Sequence, residues 1–580
     1  MPDAPHPRPL KTVSLALVGS GGAGVLTAGA ILLDAAARAG LYGLLTRSVG
    51  PQIRGGEAAA LLRLSPGPVG CHDDRFDLLV ALDWQNAERF AAEIPLDSGS
   101  LVVTDPAAGE IPPALAAAAP RVAAVAMQKI AKAIPRGRPN MAAVGVAAGL
   151  AGLPEAAVAE AIRRAIGAKG GEALAASLKA ADEGRAAAAA LGPRLGANEE
   201  PRASRAAQGG RWIITGNEAA GLGAVRGGVR FAAAYPITPA TEILEWLAPA
   251  LPKVGGTLVQ AEDELASVNM AIGAAYGGTP ALTATSGPGL ALMIESLGLA
   301  VASEIPLVVI DVMRGGPSTG IPTKSEQGDL NIAVYGMHGD APHLVLAPTG
   351  VGDCLFTTQW AVHLAEKLQT PAIVLSDQFL GQARAVIDPP PAFALAASRA
   401  APAPGERGAY RRYAETPSGV SPMAVPGIPG CQYTADGLEH GERGTPSSRA
   451  EDHRAQMEKR RAKLADHDYG EAWADIEGEG EIAVVTWGSC TAAAREAVAR
   501  VAASGIEARL VAVRLLSPAQ PARLAAALAG VRRVLIVEQS HSAQFHRYLR
   551  AHTELPRTVD VLHRPGPLPF RPVEIAAALA

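Results

Sequence analysis

The stretch VQAEDELASVNMAIGAAYGGTPALTATSGPG, residues 259–289, decides the fold. It leaves a short strand, TLVQ, and crowds Glu262, Asp263 and Glu264 into one helical turn. A helix marked by apolar Leu265, Val268 and Ile272 follows, and the chain returns through a second strand, ALTATSG. Strand, helix and strand within about 30 residues form a βαβ unit, the building block of a parallel sheet covered by helices.

The same rhythm recurs on both sides. Upstream, RWIITGNEAAGLGAVRGGVRFAAAYPITPATEI opens with a strand and a glycine-rich helix, and downstream PLVVIDV and PAIVLSD repeat the strand, so this domain is predicted to span 211–385. Nearer the start, VSLALVG runs into Gly19-Ser20-Gly21-Gly22-Ala23-Gly24 and a helix, and FDLLVALD and SLVVTD follow. That is another α/β domain, 11–185, read as a parallel sheet. Residues 186–210 read as a linker. Residues 386–475 form a connecting segment, Pro-rich, then polar. It closes in SRAEDHRAQMEKRRAKLADHD, whose alternating charges predict a solvated helix. From IAVVTWGS onward, 476–580 reads as a third, smaller α/β domain. The fold class is multidomain α/β.

Composition narrows the function. The 580 residues are 48% hydrophobic with net charge −4, which excludes wholesale disorder and offers no basic footprint for nucleic acid. The four cysteines, Cys71, Cys354, Cys431 and Cys490, lack any C-x-x-C spacing, so no metal cluster is expected in this chain alone. The opening residues resemble neither a signal peptide nor a membrane span, and a cytoplasmic location is the expectation.

Each candidate site has a plain structural reading beside it. The glycine turn at 19–24 is either a tight turn or an anion contact. No acidic residue stands about 20 positions on, which disfavours ordinary dinucleotide binding. Arg54, beside Gly55 and Gly56, suits a phosphate or an ion pair. In AYPITPATE, Pro236 and Pro239 hold Thr238 in extended geometry, or Thr238 caps a helix begun by Pro239. Glu262 and Asp263 fit a helix N-terminal dipole. Glu264 enters the core side, where a carboxyl could exchange a proton with a cofactor nitrogen. Ser286 and Gly287 open a close-approach turn. Arg314, followed by glycines, hydroxyls and Lys324, lies after a buried strand where an anionic substrate would bind.

Taken together, YPITPATE, EDELASVNMAIGAA, TATSGPG and RGGPSTGIPTKSEQGDL resemble the α subunit of thiamine-diphosphate-dependent 2-oxoacid:ferredoxin oxidoreductases, most closely the 2-oxoglutarate type. GSGGAGVLTAG and VGPQIRGGE are similar to the family's γ domain, here fused ahead of the α part, and TWGSC with RVLIVEQSHSAQF to its transketolase C-terminal-like domain. The resemblance implies that 211–385 binds the pyrimidine of thiamine diphosphate. It also implies CoA-dependent oxidative decarboxylation of 2-oxoglutarate to succinyl-CoA and CO2, with electrons passed to ferredoxin.

By motif match, Glu264 would bond the aminopyrimidine, with Pro236, Thr238, Ser286 and Gly287 around the cofactor. Thr238 would stand beside the thiazolium and the oxo group, and Arg314 would hold the 1-carboxylate. Lys324 or Arg54 would serve the distal carboxylate. No G-D-G motif followed by an Asn-rich segment is present, so the diphosphate, its Mg2+ and a 4Fe–4S cluster are assigned to a separate β subunit in an (αβ)2 assembly. The alternatives are pyruvate, branched-chain or aryl 2-oxoacids as substrates, a non-redox thiamine enzyme, and a noncatalytic assembly subunit.

Overall fold

VSLALVGS forms the strand Val13–Ser20, buried along nearly its whole length, because an apolar run without alternation must be covered on both faces. The computed structural model describes residues 12–50, 56–191, 210–403 and 410–580. They form two compact units. The first comprises the described residues up to Thr215 with Gln382–Pro391 and Phe570–Ala577, and the second comprises Gly216–Gly381, Ala392–Pro569 and Ala578–Ala580.

In the first unit, Val13–Ser20 pairs in parallel with Leu78–Ala81, which continues to Leu101–Thr104 and Arg121–Ala124. On its other side Glu57–Ser65 and then Tyr42–Val49 run antiparallel. The purely parallel sheet expected for this region is therefore a mixed one. The sequences YGLLTRSV and EAAALLRLS carry little period-2 alternation, because both strands are largely buried, and this hides them from a pattern reading. Arg384–Ile387 and Trp212–Thr215, expected at the two ends of the second domain, complete this sheet.

The second unit holds two sheets. In the larger, the order is Leu515–Ser517, Leu344–Leu346, Pro371–Asp377, Leu307–Met313, Ala281–Thr285, Phe231–Ala234 and Thr257–Gln260. All neighbours are parallel except the edge strand Leu515–Ser517, lent by the C-terminal region. The smaller sheet is built on Ile482–Trp487, Ala508–Val513, Arg533–Glu538 and Thr558–His563, in parallel, with antiparallel Ala474–Glu477 at one edge.

The helix Ala450–Ala465, expected to be solvated, buries one face. Lys459 and Lys463, four residues apart and so on one side, place their ammonium groups 2.5 and 2.8 Å from the two oxygens of Glu304. All three side chains are buried, and Arg412 donates to the Glu304 carbonyl at 2.7 Å. Burial pushes the Glu304 carboxyl up, but the charges of Lys463 and Lys459 outweigh it and hold the group ionised, below its ordinary range. Charge compensation rather than an apolar stripe buries this helix, and hydrophobic periodicity cannot reveal that.

Candidate active site

Four neighbouring parallel strands of the large sheet, Leu307–Met313, Ala281–Thr285, Phe231–Ala234 and Thr257–Gln260, release their continuations at one edge. In sequence the chain goes from the Phe231 strand outward to the Thr257 strand, then back across to the Ala281 strand. This reversal is a topological switch point, and the carboxyl ends of the strands beside it are the usual binding position in open α/β sheets. Into that edge lead the loop with Pro236 and Thr238, the acidic turn ending at Glu264, the Ser286-Gly287 turn, and Arg314.

Asp263 caps the helix Glu264–Tyr276, accepting the Ala266 N–H at 2.6 Å, so its charge serves the helix end. Glu264, the first helical residue, is buried. Among the described residues nothing donates a hydrogen bond to its carboxylate. It lies against Gly289 in the first turn of the helix Gly287–Ala302: a Cβ added at Gly289 would stand 2.9 Å from Glu264 Oε1 and 2.0 Å from Thr285 Oγ1. Ser286, fully buried at that helix's N-cap position, has a hydroxyl without a partner among the described residues. Gly287 is equally constrained, since its Cβ would meet the Asp329 carboxylate at 2.6 Å.

Thr238 is exposed, in a loop held from both sides. Arg314 Nη1 donates to the Thr238 carbonyl at 2.6 Å, and buried Asn217 donates to the Pro239 carbonyl at 2.9 Å. The alternative of Thr238 as a helix cap fails, because the helix begins at Thr241 with Ala240 in the cap position. Arg314 is 8% exposed and its Nε has no acceptor among the described residues. Burial lowers its pKa, with the Asp329 charge acting the other way.

Pattern reading passed over two acids here. Asp311, in the otherwise apolar strand LVVIDVM, is fully buried, and Asp329 lies beside it at the start of the short helix Leu330–Tyr335. The two carboxyls hydrogen-bond to each other, and among the described residues no other group donates to either Asp311 oxygen. Burial, reinforced at Asp311 by the Asp329 charge, raises both carboxyls, so the pair retains a proton where isolated aspartates would be ionised. A lone carboxylate inside a fully apolar strand was the available signal.

Lys324 is half-buried, and its carbonyl accepts the Gly315 N–H at 2.9 Å, which keeps it near Arg314. Arg54 lies outside the described residues. The turn at 19–24 is fixed at its start by protein contacts. Ser20 directs its backbone N–H and hydroxyl to Asp83 at 3.0 and 2.8 Å, and Gly22 and Gly24 take φ of +93° and +84°.

The edge thus gathers polar groups that the protein itself leaves unsatisfied among the described residues: the Glu264 carboxylate, packed against the α-carbon of Gly289, and the Ser286 hydroxyl. Among the described residues there is no group of three or more His, Cys, Asp and Glu placed to hold a metal ion, and the four cysteines are buried and form no disulfide. No described helix is long and apolar enough to cross a membrane.

Residues 222–459 match the family described as pyruvate flavodoxin/ferredoxin oxidoreductase, thiamine diP-bdg, and residues 14–187 match pyruvate ferredoxin/flavodoxin oxidoreductase. The 2-oxoglutarate synthase subunit KorA of Archaeoglobus fulgidus is 39% identical over 306 residues, covering 53% of this chain and 81% of that protein. The subunit of the same name from Methanothermobacter marburgensis is 35% identical over 366 residues, 61% of this chain and 96% of the relative. The solved 2-oxoglutarate:ferredoxin oxidoreductase from Magnetococcus marinus, with 2-oxoglutarate, coenzyme A and succinyl-CoA bound, superposes with a TM-score of 0.89 at 37% identity. The match covers 98% of this chain and 99% of that one. With the site geometry above, these likenesses lead to one conclusion: the chain belongs to the family of KorA-like 2-oxoacid:ferredoxin oxidoreductase α subunits.

Proposed function

We propose that this chain is the α subunit, with a γ-type domain fused at its start, of a 2-oxoglutarate:ferredoxin oxidoreductase. The reaction joins 2-oxoglutarate and coenzyme A and releases succinyl-CoA, CO2 and a proton, while two electrons pass one at a time to two ferredoxins. Thiamine diphosphate, when bound, would supply a nucleophilic carbon for the oxo group and an electron sink for the pair left as CO2 departs.

The observation that carries the reading is Glu264: a buried carboxylate without a donor, against the side-chain-free backbone of Gly289. There it would hydrogen-bond a ring nitrogen of the aminopyrimidine and hold or return a proton at that atom. Thr238, exposed in its loop, would donate its hydroxyl to the oxo oxygen as negative charge develops. Arg314 would hold the 1-carboxylate through the donors that its bond to Thr238 leaves over. Pro236, Ser286 and Gly287 would line the ring's slot, with Lys324 or Arg54 on the distal carboxylate.

The diphosphate with its Mg2+, and the 4Fe–4S cluster, would come from a β subunit, giving a cytoplasmic (αβ)2 assembly. Three large exposed apolar side chains on the helices that carry Glu264 and Gly289 favour a partner there. Leu265 and Met270 on the Glu264 helix are 47% and 44% exposed, and Leu292 on the Gly287 helix is 51% exposed.

The test is Glu264→Gln in the purified two-subunit complex. Succinyl-CoA formation should drop by at least about a thousandfold while the partner still co-purifies, in line with loss of an essential proton-exchanging group. Unchanged turnover would remove the catalytic reading. Comparing 2-oxoglutarate with pyruvate, branched-chain and aryl 2-oxoacids decides the substrate.

A further inference from the structure

The segment that follows the strand Leu307–Met313 carries Arg314 and Lys324 and returns at Asp329, with neither a helix nor a sheet strand of its own. Such a segment has little internal packing with which to offset the entropy of ordering. Its return limb is instead bonded, residue after residue, to the C-terminal region of the same unit. The Gly566 N–H donates to Glu326 Oε2 at 3.1 Å. Gln544 Nε2 donates to the Gly328 carbonyl at 2.8 Å, and Gln544 Oε1 accepts the Asn331 N–H at 2.9 Å.

Gln327 is the centre of this attachment. It is fully buried, and its backbone N–H donates to the Gln539 carbonyl at 2.8 Å. Its Oε1 accepts the Gln539 N–H at 2.8 Å and the Cys490 thiol at 3.4 Å, and its Nε2 donates to the Trp487 carbonyl at 2.9 Å. These partners stand at the carboxyl ends of the strands Ile482–Trp487 and Arg533–Glu538. At the other end of the segment, the Gly315 N–H donates to the Lys324 carbonyl at 2.9 Å and Ile321 donates back to Gly315 at 2.7 Å. Gly315 directly follows Arg314, which reaches Thr238.

We infer that the C-terminal α/β region is the template on which the Arg314–Lys324 segment is shaped, and that Gln327 is its positioning residue. It acts through the backbone bonds between Lys324 and Gly315. It governs how well the two cations meet the carboxylates of an anionic 2-oxoacid and leaves the proton chemistry at Glu264 untouched. The inference rests on the assignment of Arg314 to carboxylate binding.

The experiment uses the intact two-subunit complex with Gln327→Ala and, as a milder variant that leaves the buried core intact, Gln544→Ala. KM for 2-oxoglutarate should rise about 5- to 30-fold for the first and about 2- to 5-fold for the second, with kcat within about threefold, as expected for lost ground-state positioning. Hydrogen exchange at residues 315–324 should quicken in both. Unchanged KM and unchanged exchange in both variants would overturn the inference. Arg314→Gln in parallel separates the two levels. If it raises KM while the glutamine variants do not, the template role alone fails. If it leaves KM unchanged, the assignment of Arg314 fails as well.

Discussion

The Glu264 carboxyl packs against the α-carbon of Gly289, with its Oε1 2.9 Å from where a Cβ would stand. The two residues lie 25 positions apart and meet because consecutive strands of one parallel sheet deliver their helices to the same edge. Gly289→Ala should therefore push Glu264 and Thr285 aside. Succinyl-CoA formation should drop at least about a hundredfold, as expected when a reacting group is misplaced by about 1 Å. The variant's melting temperature, measured beside its turnover, should fall by only a few degrees.

Arg314 keeps its Nε free of acceptors although it is almost wholly buried. Lysine cannot reproduce the planar donor fork. In Arg314→Lys, KM for 2-oxoglutarate should rise by about 10- to 100-fold, with a smaller effect on kcat. Steady-state kinetics with saturating coenzyme A would check the split.

Glu304 neutralises two buried lysines at once. Glu304→Gln leaves both ammonium groups without a counter-charge, a change that costs about 3–5 kcal/mol for a broken buried pair. Denaturant melts of the isolated chain should show the loss.

The Asp311–Asp329 pair imposes a pH dependence of definite sign. Both carboxyls are raised in the folded chain, first by burial. The folded state thus binds more protons than the unfolded state above the ordinary aspartate value of about 4, so the pair's contribution to stability is lost as pH rises through the raised range. Asp329→Asn cannot ionise, and its melting temperature should decline less than that of the unaltered chain between about pH 5 and 8. An equal decline would show that the pair does not titrate.

His72, in the first unit, acts in the opposite direction. Burial, with the Arg571 and Arg63 charges adding to it, pushes its pKa down to about 3. Its contribution is complete above the unfolded value of about 6.5 and is lost as pH falls toward 3. Replacement by Gln should flatten the acid limb of the stability profile, which thermal melts across that range would register.

Much of the site was legible because it is written in local chemistry. The acidic turn at 262–264, the prolines around Thr238 and the small residues at 286–289 announce a helix start, a stiff loop and a close approach from their own residue types. The mixed sheet of the first unit was not legible, since Tyr42–Val49 and Glu57–Ser65 are mostly buried and show no alternation. The burial of Lys459 and Lys463 was equally hidden, because the distant Glu304 makes it tolerable.

By itself, then, the sequence determined the α/β class, the βαβ order and the residue types able to hold a ring nitrogen and a carboxylate, because periodicity and turn chemistry act over a few neighbouring residues. Only the tertiary structure decided that Arg314 meets Thr238, that Asp311 shares its burial with Asp329, and that Gln327 is bonded to Trp487 and Gln539. Those pairings join positions between 18 and 212 residues apart, and no local preference of the chain encodes which distant partner will satisfy a buried polar group.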